Sequence, residues 1–330
     1  MKIAIVHVLD VFMYKFGMLL KTYVDDVKYV SRLMASFHKH NVENIPLYIV
    51  VPDTDIEKFR QFVCKGVELY SDQEISKELA IGEVRGIRPG YINQEIIKLA
   101  FWEKRLCENY LCVDSDGVFI RDFYIDDFMY DDDTPYTILV EDNELMVEPE
   151  YYATHWKYRY ALIKHIQNQI GLKGKRILTN HAFSIFSSKV LESFKDKYLK
   201  AKGMTYIDIL AEAPYEFSWY SLWLQHDRTI DIHIREPLFK FFHHKNQHAE
   251  YVLRGVTISD LARGYIGVNV NSNYSRGFGV IAFDGDRNRL MAQYFSNAEV
   301  LKICIYKFEN NVLRLVRKIK YLWGKYVYGN

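Results

Sequence analysis

The chain has 330 residues, 49% of them apolar and 26% charged, with a formal net charge of +1. That composition excludes a disordered or fibrous chain and allows a large buried core, in one large domain or two small ones. The charge balance carries no general attraction for nucleic acid, and no nucleic-acid partner is expected. The four cysteines, Cys64, Cys107, Cys112 and Cys304, form no Cys-x-x-Cys pair. They read as reduced thiols in a cytosolic protein. No run of 18 apolar residues occurs, so no membrane-spanning helix is expected. The apolar run at residues 2–8 is interrupted by His7 and followed by Asp10, with no small-residue cleavage site, so no signal peptide is expected either. The expected location is cytoplasmic, at the inner face of a membrane.

In chain order, residues 2–8 read as a first, interior strand. Residues 16–40 carry apolar positions at helical spacing, with Val27, Val30, Leu33, Met34 and Phe37 on one face. Residues 45–51 form a second apolar strand, stopped by Pro52-Asp53. Thr54 and Asp55 offer an N-cap for a short helix to Phe62, and residues 67–70 a third strand. This alternation predicts a mostly parallel sheet with crossover helices. Residues 82–90 hold three glycines, a proline, Arg85 and Arg88, and read as a basic loop. A helix over residues 92–108 carries Gln94 and Lys98 one turn apart. Next comes the apolar run Tyr110-Leu111-Cys112-Val113, which ends in Asp114-Ser115-Asp116-Gly117.

Further along, the carboxylates at 126–133 read as a solvated acidic turn. Residues 136–140 read as a strand, 151–169 as a helix closed by Gly171, and 188–199 as another helix. Thr179-Asn180-His181 is a polar step between apolar residues. Tyr215-Glu216-Phe217-Ser218-Trp219-Tyr220 opens a helix after Pro214. Residues 230–234 and 239–244 read as strands, the latter ending in His243-His244. Residues 263–285 read as short strands and turns. From 298 to 323 one long helical pattern runs to a stop at Gly324. Val312, Leu315, Val316, Ile319 and Leu322 lie on one side, with Arg314, Arg317, Lys318 and Lys320 elsewhere. A basic amphipathic helix with aromatics fits an anionic membrane surface, here through residues 300–325, and equally fits docking on the protein's own core.

Read alone, Asp114-Ser115-Asp116 is an ordinary surface turn. As a strand end in an open α/β sheet it is also where ligands bind. Two carboxylates there call for positive charge, and a Mn²⁺ or Mg²⁺ carrying a diphosphate supplies it. Asp116, with Asp114 or with His243 or His244, could provide the protein ligands. Lys and Arg side chains could neutralise a departing diphosphate, and a carboxylate at a helix start, Glu216, could take a proton from an attacking hydroxyl.

The order of these blocks resembles glycosyltransferases of the GT-A type. The resemblance is carried by Gly90-Tyr91-Ile92-Asn93-Gln94-Glu95-Ile96-Ile97-Lys98-Leu99, then Tyr110-Leu111-Cys112-Val113-Asp114-Ser115-Asp116, then Tyr215-Glu216-Phe217-Ser218-Trp219-Tyr220. It covers residues 1–245 and is most like a bacterial and viral group with Gln-x-x-x-Lys-Leu, Asp-x-Asp and Glu-x-x-x-Tyr blocks. It implies an α/β, GT-A-like (Rossmann-like), mostly parallel sheet flanked by helices over residues 1–295, with a C-terminal helical extension at 296–330. The implied reaction is transfer of a sugar from a nucleotide-sugar donor to a saccharide or lipid-linked acceptor, in surface polysaccharide or glycan synthesis. By the same resemblance, Asp114 and Asp116 hold the metal and donor, and His243 or His244 is a late metal ligand. Asp53, Arg85, Arg88, Gln94 and Lys98 would bind nucleotide or donor. Asn180, His181, Trp219 and Tyr220 would line the sugar or acceptor pocket, and Glu216 would be the base of an inverting reaction. A nucleotidyltransferase and a non-catalytic nucleotide-sugar-binding protein are the alternatives; the first lacks a glycine-rich phosphate loop near residues 8–12.

Overall fold

The computed structural model describes residues 14–174, 177–180, 183–243, 247–248, 250–251, 256–272 and 297–328. They fall into two compact units, residues 1–240 with 265–267, and residues 241–264 with 268–330. The strand expected at residues 2–8, His181 and His244 lie outside the described residues.

The first unit is α/β. Its sheet contains β1 (Tyr14–Lys21), β2 (Leu47–Val51), β3 (Val67–Ser71), β4 (Cys107–Val113) and, after two short strands β5 (Gly117–Phe119) and β6 (Tyr136–Ile138), β7 (Ile185–Ser187). The order is β3-β2-β1-β4-β7. β1 runs parallel to β2 and β4, β2 is parallel to β3, and β7 closes the edge antiparallel to β4. All five residues of β2 are buried, as a parallel strand covered on both faces requires.

Residues 16–40, expected as one helix, divide into strand and helix. Phe16 and Met18 to Leu20 are all buried, and a Cβ on Gly17 would stand 2.9 Å from the Tyr48 ring. Consecutive apolar residues buried on both sides suit an interior strand. The helix α1 (Val27–His40) begins only after it, burying Val30, Leu33, Met34 and Phe37. The next long helix, α2 (Pro89–Ala100), has proline in its first turn, where a missing N–H costs nothing. It ends earlier than expected, in a 3-10 turn Phe101–Lys104 followed by Arg105 at φ 59°.

Further helices follow, α3 (Lys157–Ile170), α4 (Ser188–Ser193), α5 (Tyr206–Glu212) and α6 (Glu216–Asp227): α4 packs on β4 and β7, α3 on α6 and α5 on α2. Every residue of α6 from Glu216 to Leu224 is buried, so this helix is enclosed all round. Phe101, Tyr110 and Phe186 interlock edge to face, at 5.0 and 5.7 Å between centroids. The acidic segment at 126–133 is tied down by surface pairs, Arg121 with Asp127 at 3.0 Å and Lys15 with Asp133 at 2.8 Å. A short strand β8 (His233–Arg235) lies parallel to β6.

The strand β9 (Phe239–Phe242) leads into the second unit, where Phe242 packs on His248 and Tyr251. Thr257 caps a short helix there by a reciprocal bond with Asp260, and the strand β10 (Gly267–Val270) follows. The last helix, α7 (Asn297–Tyr328), continues past Gly324, where a stop was expected. Among the described residues no helix is long and apolar enough to cross a membrane.

Candidate functional site

Parallel strands bring their carboxyl ends to one edge, and here each of four is followed within five residues by aspartate. β1 runs through Lys21 and Thr22 into Asp25 and Asp26. β2 leads to Asp53 and Asp55, β3 to Asp72, and β4 to Asp114 and Asp116. The chain lays β1, β2 and β3 side by side in one direction, then returns to place β4 on the other side of β1. The strand order therefore reverses between β1 and β4, which is where open α/β sheets form a crevice. Asp26 and Asp114-Ser115-Asp116 flank that point. They are joined across it, since Ser115 Oγ donates to Asp26 Oδ2 at 2.7 Å.

At the centre lies Lys98, from the last turn of α2. Its side chain is 3% exposed, with Nζ 2.8 Å from Glu216 Oε1 and 3.4 Å from Asp114 Oδ1. The ammonium also stands 4.7 Å from the centre of the Phe217 ring. Tyr110 Oη donates to the Lys98 carbonyl at 2.7 Å and fixes the end of α2 to β4. Burial opposes the lysine's charge, but Asp114 and Glu216 outweigh it and hold the group well above its ordinary range.

Glu95, one turn before Lys98, is buried, and its Oε2 meets no N–H or O–H donor among the described residues. Burial, reinforced by the neighbouring Glu216 carboxylate, pushes its pKa well above 4.5. Glu216 moves the other way. Burial would raise it, but Lys98 and a hydrogen bond from Glu95 bring it below its ordinary value. The two carboxyls are thus pushed apart, Glu95 upward and Glu216 downward, a split characteristic of coupled carboxyls in unequal surroundings.

A second buried cation sits on the β1–β3 side. Lys21 Nζ lies 2.9 Å from Asp72 Oδ1 and donates to the Thr22 carbonyl at 3.1 Å. Burial lowers the pKa of Lys21 and raises that of Asp72 despite their pairing. Asp55 accepts from the Val24 N–H at 2.8 Å and so holds the turn after β1. Burial also raises Asp26, with Asp114 and Asp25 adding to the effect.

The remaining sequence candidates are distributed as follows. Asp114 is 36% exposed, and Asp116 is half-buried beyond it. Asp53 is exposed, near enough to Asp72 to act on its charge. Gln94 is half-buried on α2. Arg88, exposed before α2, acts on Tyr23 at the end of β1, whereas Arg85, at φ 48°, acts on Asp208. The two arginines therefore serve different neighbourhoods.

Trp219 and Tyr220 are core residues, in contrast to the expectation of a pocket lining. Trp219 Nε1 donates to the Ala213 carbonyl at 2.9 Å, and Tyr220 Oη accepts from the Ser187 N–H at 2.9 Å while its ring stacks on Phe186. Asn180 is fully buried and donates to the Phe183 carbonyl at 3.1 Å. His243 belongs to the second unit, where its ring stacks on Phe241 and its N–H donates to Gln247. Lys21, Thr22, Asp26, Asp72 and Glu95 were not anticipated from sequence. For Glu95 the signal was present, since it lies three residues before Lys98 on an otherwise apolar helix face.

Among the described residues, no three His, Cys, Asp or Glu side chains are gathered into a closed metal cage. A Mg²⁺ held by one or two carboxylates and completed by substrate phosphates needs none. The all-oxygen donor set of Asp114 and Asp116, with the partly uncompensated Asp26 beside it, fits a cation of that kind.

Residues 11–255 match the family described as a family of unknown function, DUF6492. No curated protein matches the chain.

Proposed function

The chain belongs to the DUF6492 family, and for it we propose a glycosyltransferase of the GT-A type. It would move a sugar from a nucleotide-diphosphate donor to the hydroxyl of a saccharide or lipid-linked acceptor. The observation that carries this reading is the meeting of three distant blocks at one buried ammonium. Lys98 from the Gln-x-x-x-Lys helix touches Asp114 of Asp-x-Asp and Glu216 of Glu-x-x-x-Tyr. The reversal of strand order beside Asp114 supports it further, because nucleotide ligands favour that crevice.

In the proposed reaction the acceptor hydroxyl oxygen attacks the anomeric carbon, the bond from that carbon to the diphosphate oxygen breaks, and the hydroxyl proton passes to solvent as the diphosphate leaves as an anion. A Mn²⁺ or Mg²⁺, when bound, would be held by Asp114 and Asp116 and would supply positive charge to the departing diphosphate. Lys98 orients Asp114 toward the crevice. Glu216 carries the compensating charge for Lys98. A carboxylate held below its ordinary range and engaged by an ammonium is a weak base, so we assign Glu216 a positioning role instead of the expected base role.

The direct test measures release of free nucleoside diphosphate from a panel of nucleotide sugars in Mn²⁺, comparing wild type with Asp114→Asn. One donor should be turned over, and the variant should be slower by roughly 10²–10³-fold, the scale of losing one electrostatic contact to developing charge. Release by both proteins at equal rates would refute the assignment. So would a complete lack of nucleotide binding across the panel.

A further inference from the structure

α7 spans 32 residues, Asn297–Tyr328, which at 1.5 Å per residue makes a rod of about 48 Å. Residues 311–323 are exposed without exception. Phe308, Val312, Leu315, Ile319, Leu322 and Tyr326 all present large side chains to water, Phe308 at 71% and Tyr326 at 86%. Advancing by 100° per residue, they fall within an arc of roughly 80° along about five turns. Soluble proteins rarely leave a continuous apolar stripe of this extent uncovered.

The rest of the circumference between 311 and 323 carries Arg314, Arg317, Lys318 and Lys320 and no acidic residue. This charge pattern selects the occupant. A second copy of the helix laid against the stripe would bring like charges together, with no carboxylate between 311 and 323 to pair with them. A surface of anionic lipid head groups supplies the missing negative charge on both margins while its acyl boundary takes the stripe. Tyr321 and Trp323, 69% and 67% exposed, have the amphipathic rings that favour head-group depth. The helix is too polar to span, which leaves it lying in the plane of the interface.

We propose that α7 is a monotopic anchor that binds anionic membrane surfaces. The inference stands on the exposure and charge of this helix alone, apart from the proposed transferase activity. It is tested by flotation of the full-length protein with vesicles of phosphatidylcholine alone and of phosphatidylcholine mixed with phosphatidylglycerol. The protein should float with the mixed vesicles, and partitioning should fall roughly fivefold for each of Arg314, Arg317 and Lys318 changed to Gln. Leu315→Glu with Ile319→Glu should abolish flotation while leaving the thermal melting transition in place. A blue shift of tryptophan emission on adding mixed vesicles, absent in Trp323→Phe, would report burial of the stripe. Equal flotation with both vesicle types, or no flotation with either, would overturn the proposal. A concentration-dependent dimer by sedimentation that Leu315→Glu dissolves, without flotation, would overturn it in favour of a second copy.

Discussion

Lys98 is the residue on which the site depends. Removing one member of a buried ion pair leaves the other charged and unsolvated, which typically costs about 3–5 kcal/mol. Lys98→Met should therefore lose stability on that scale in urea unfolding. Adding Glu216→Leu should return much of it, because the stranded carboxylate is then gone. Glu216→Gln separates positioning from base catalysis. A base would take the acidic limb of the kcat/KM profile with it and slow the reaction by roughly 10²–10⁴-fold. A positioning residue lowers the rate without altering the shape of the pH profile. Glu95 gives a test by pH alone. Its folded pKa lies above the ordinary 4.5, so between those values the folded state binds more protons than the unfolded state. Stability should then fall as pH rises through that window, from a maximum contribution below 4.5. Glu95→Gln keeps the size and polarity of the side chain but no longer titrates. Its stability relative to wild type should rise with pH across the window, as measured by denaturation at a series of pH values.

At the scale of single elements, the Asp114–Gly117 turn shapes the crevice. The Gly117 N–H donates to the Asp114 carbonyl at 3.1 Å, and a Cβ on Gly117 would come within 2.9 Å of the Phe183 ring. Gly117→Ala should cost about 1–3 kcal/mol by overpacking, and should weaken nucleotide binding in a thermal-shift assay by displacing the carboxylates. This turn was legible in the sequence, because a short apolar run broken by Asp-Ser-Asp-Gly has few other readings. So was the helix carrying Lys98. β1 was not. Its apolar run fits a buried strand and a helix segment equally well, and periodicity cannot separate them. With β1 assigned to a helix, Lys21, Thr22 and Asp26 could not be placed at a strand end, and half of the crevice went unseen. Trp219 and Tyr220 failed for a different reason. Their amphipathic side chains suit both a sugar pocket and a core, and only the bonds to Ala213 and Ser187 show which environment they occupy.

At the scale of the whole molecule, the described side chains of α7 from residue 311 onward remain in water and contribute little packing to the fold. Deleting residues 311–330 should leave the calorimetric stability of the remaining chain within about 0.5 kcal/mol, the range for surface changes. The order of blocks along the chain was readable. Their convergence on one ammonium was not, since Lys98 and Glu216 are 118 residues apart. That separation has a temporal consequence during synthesis. At roughly 5–20 residues per second, Lys98 leaves the ribosome about 6–24 s before Glu216 does. Until then its ammonium has the part-exposed Asp114 at 3.4 Å as a partner but not the buried Glu216 at 2.8 Å. The shortest ion pair of the site therefore forms only after α3, α4 and α5 have been translated.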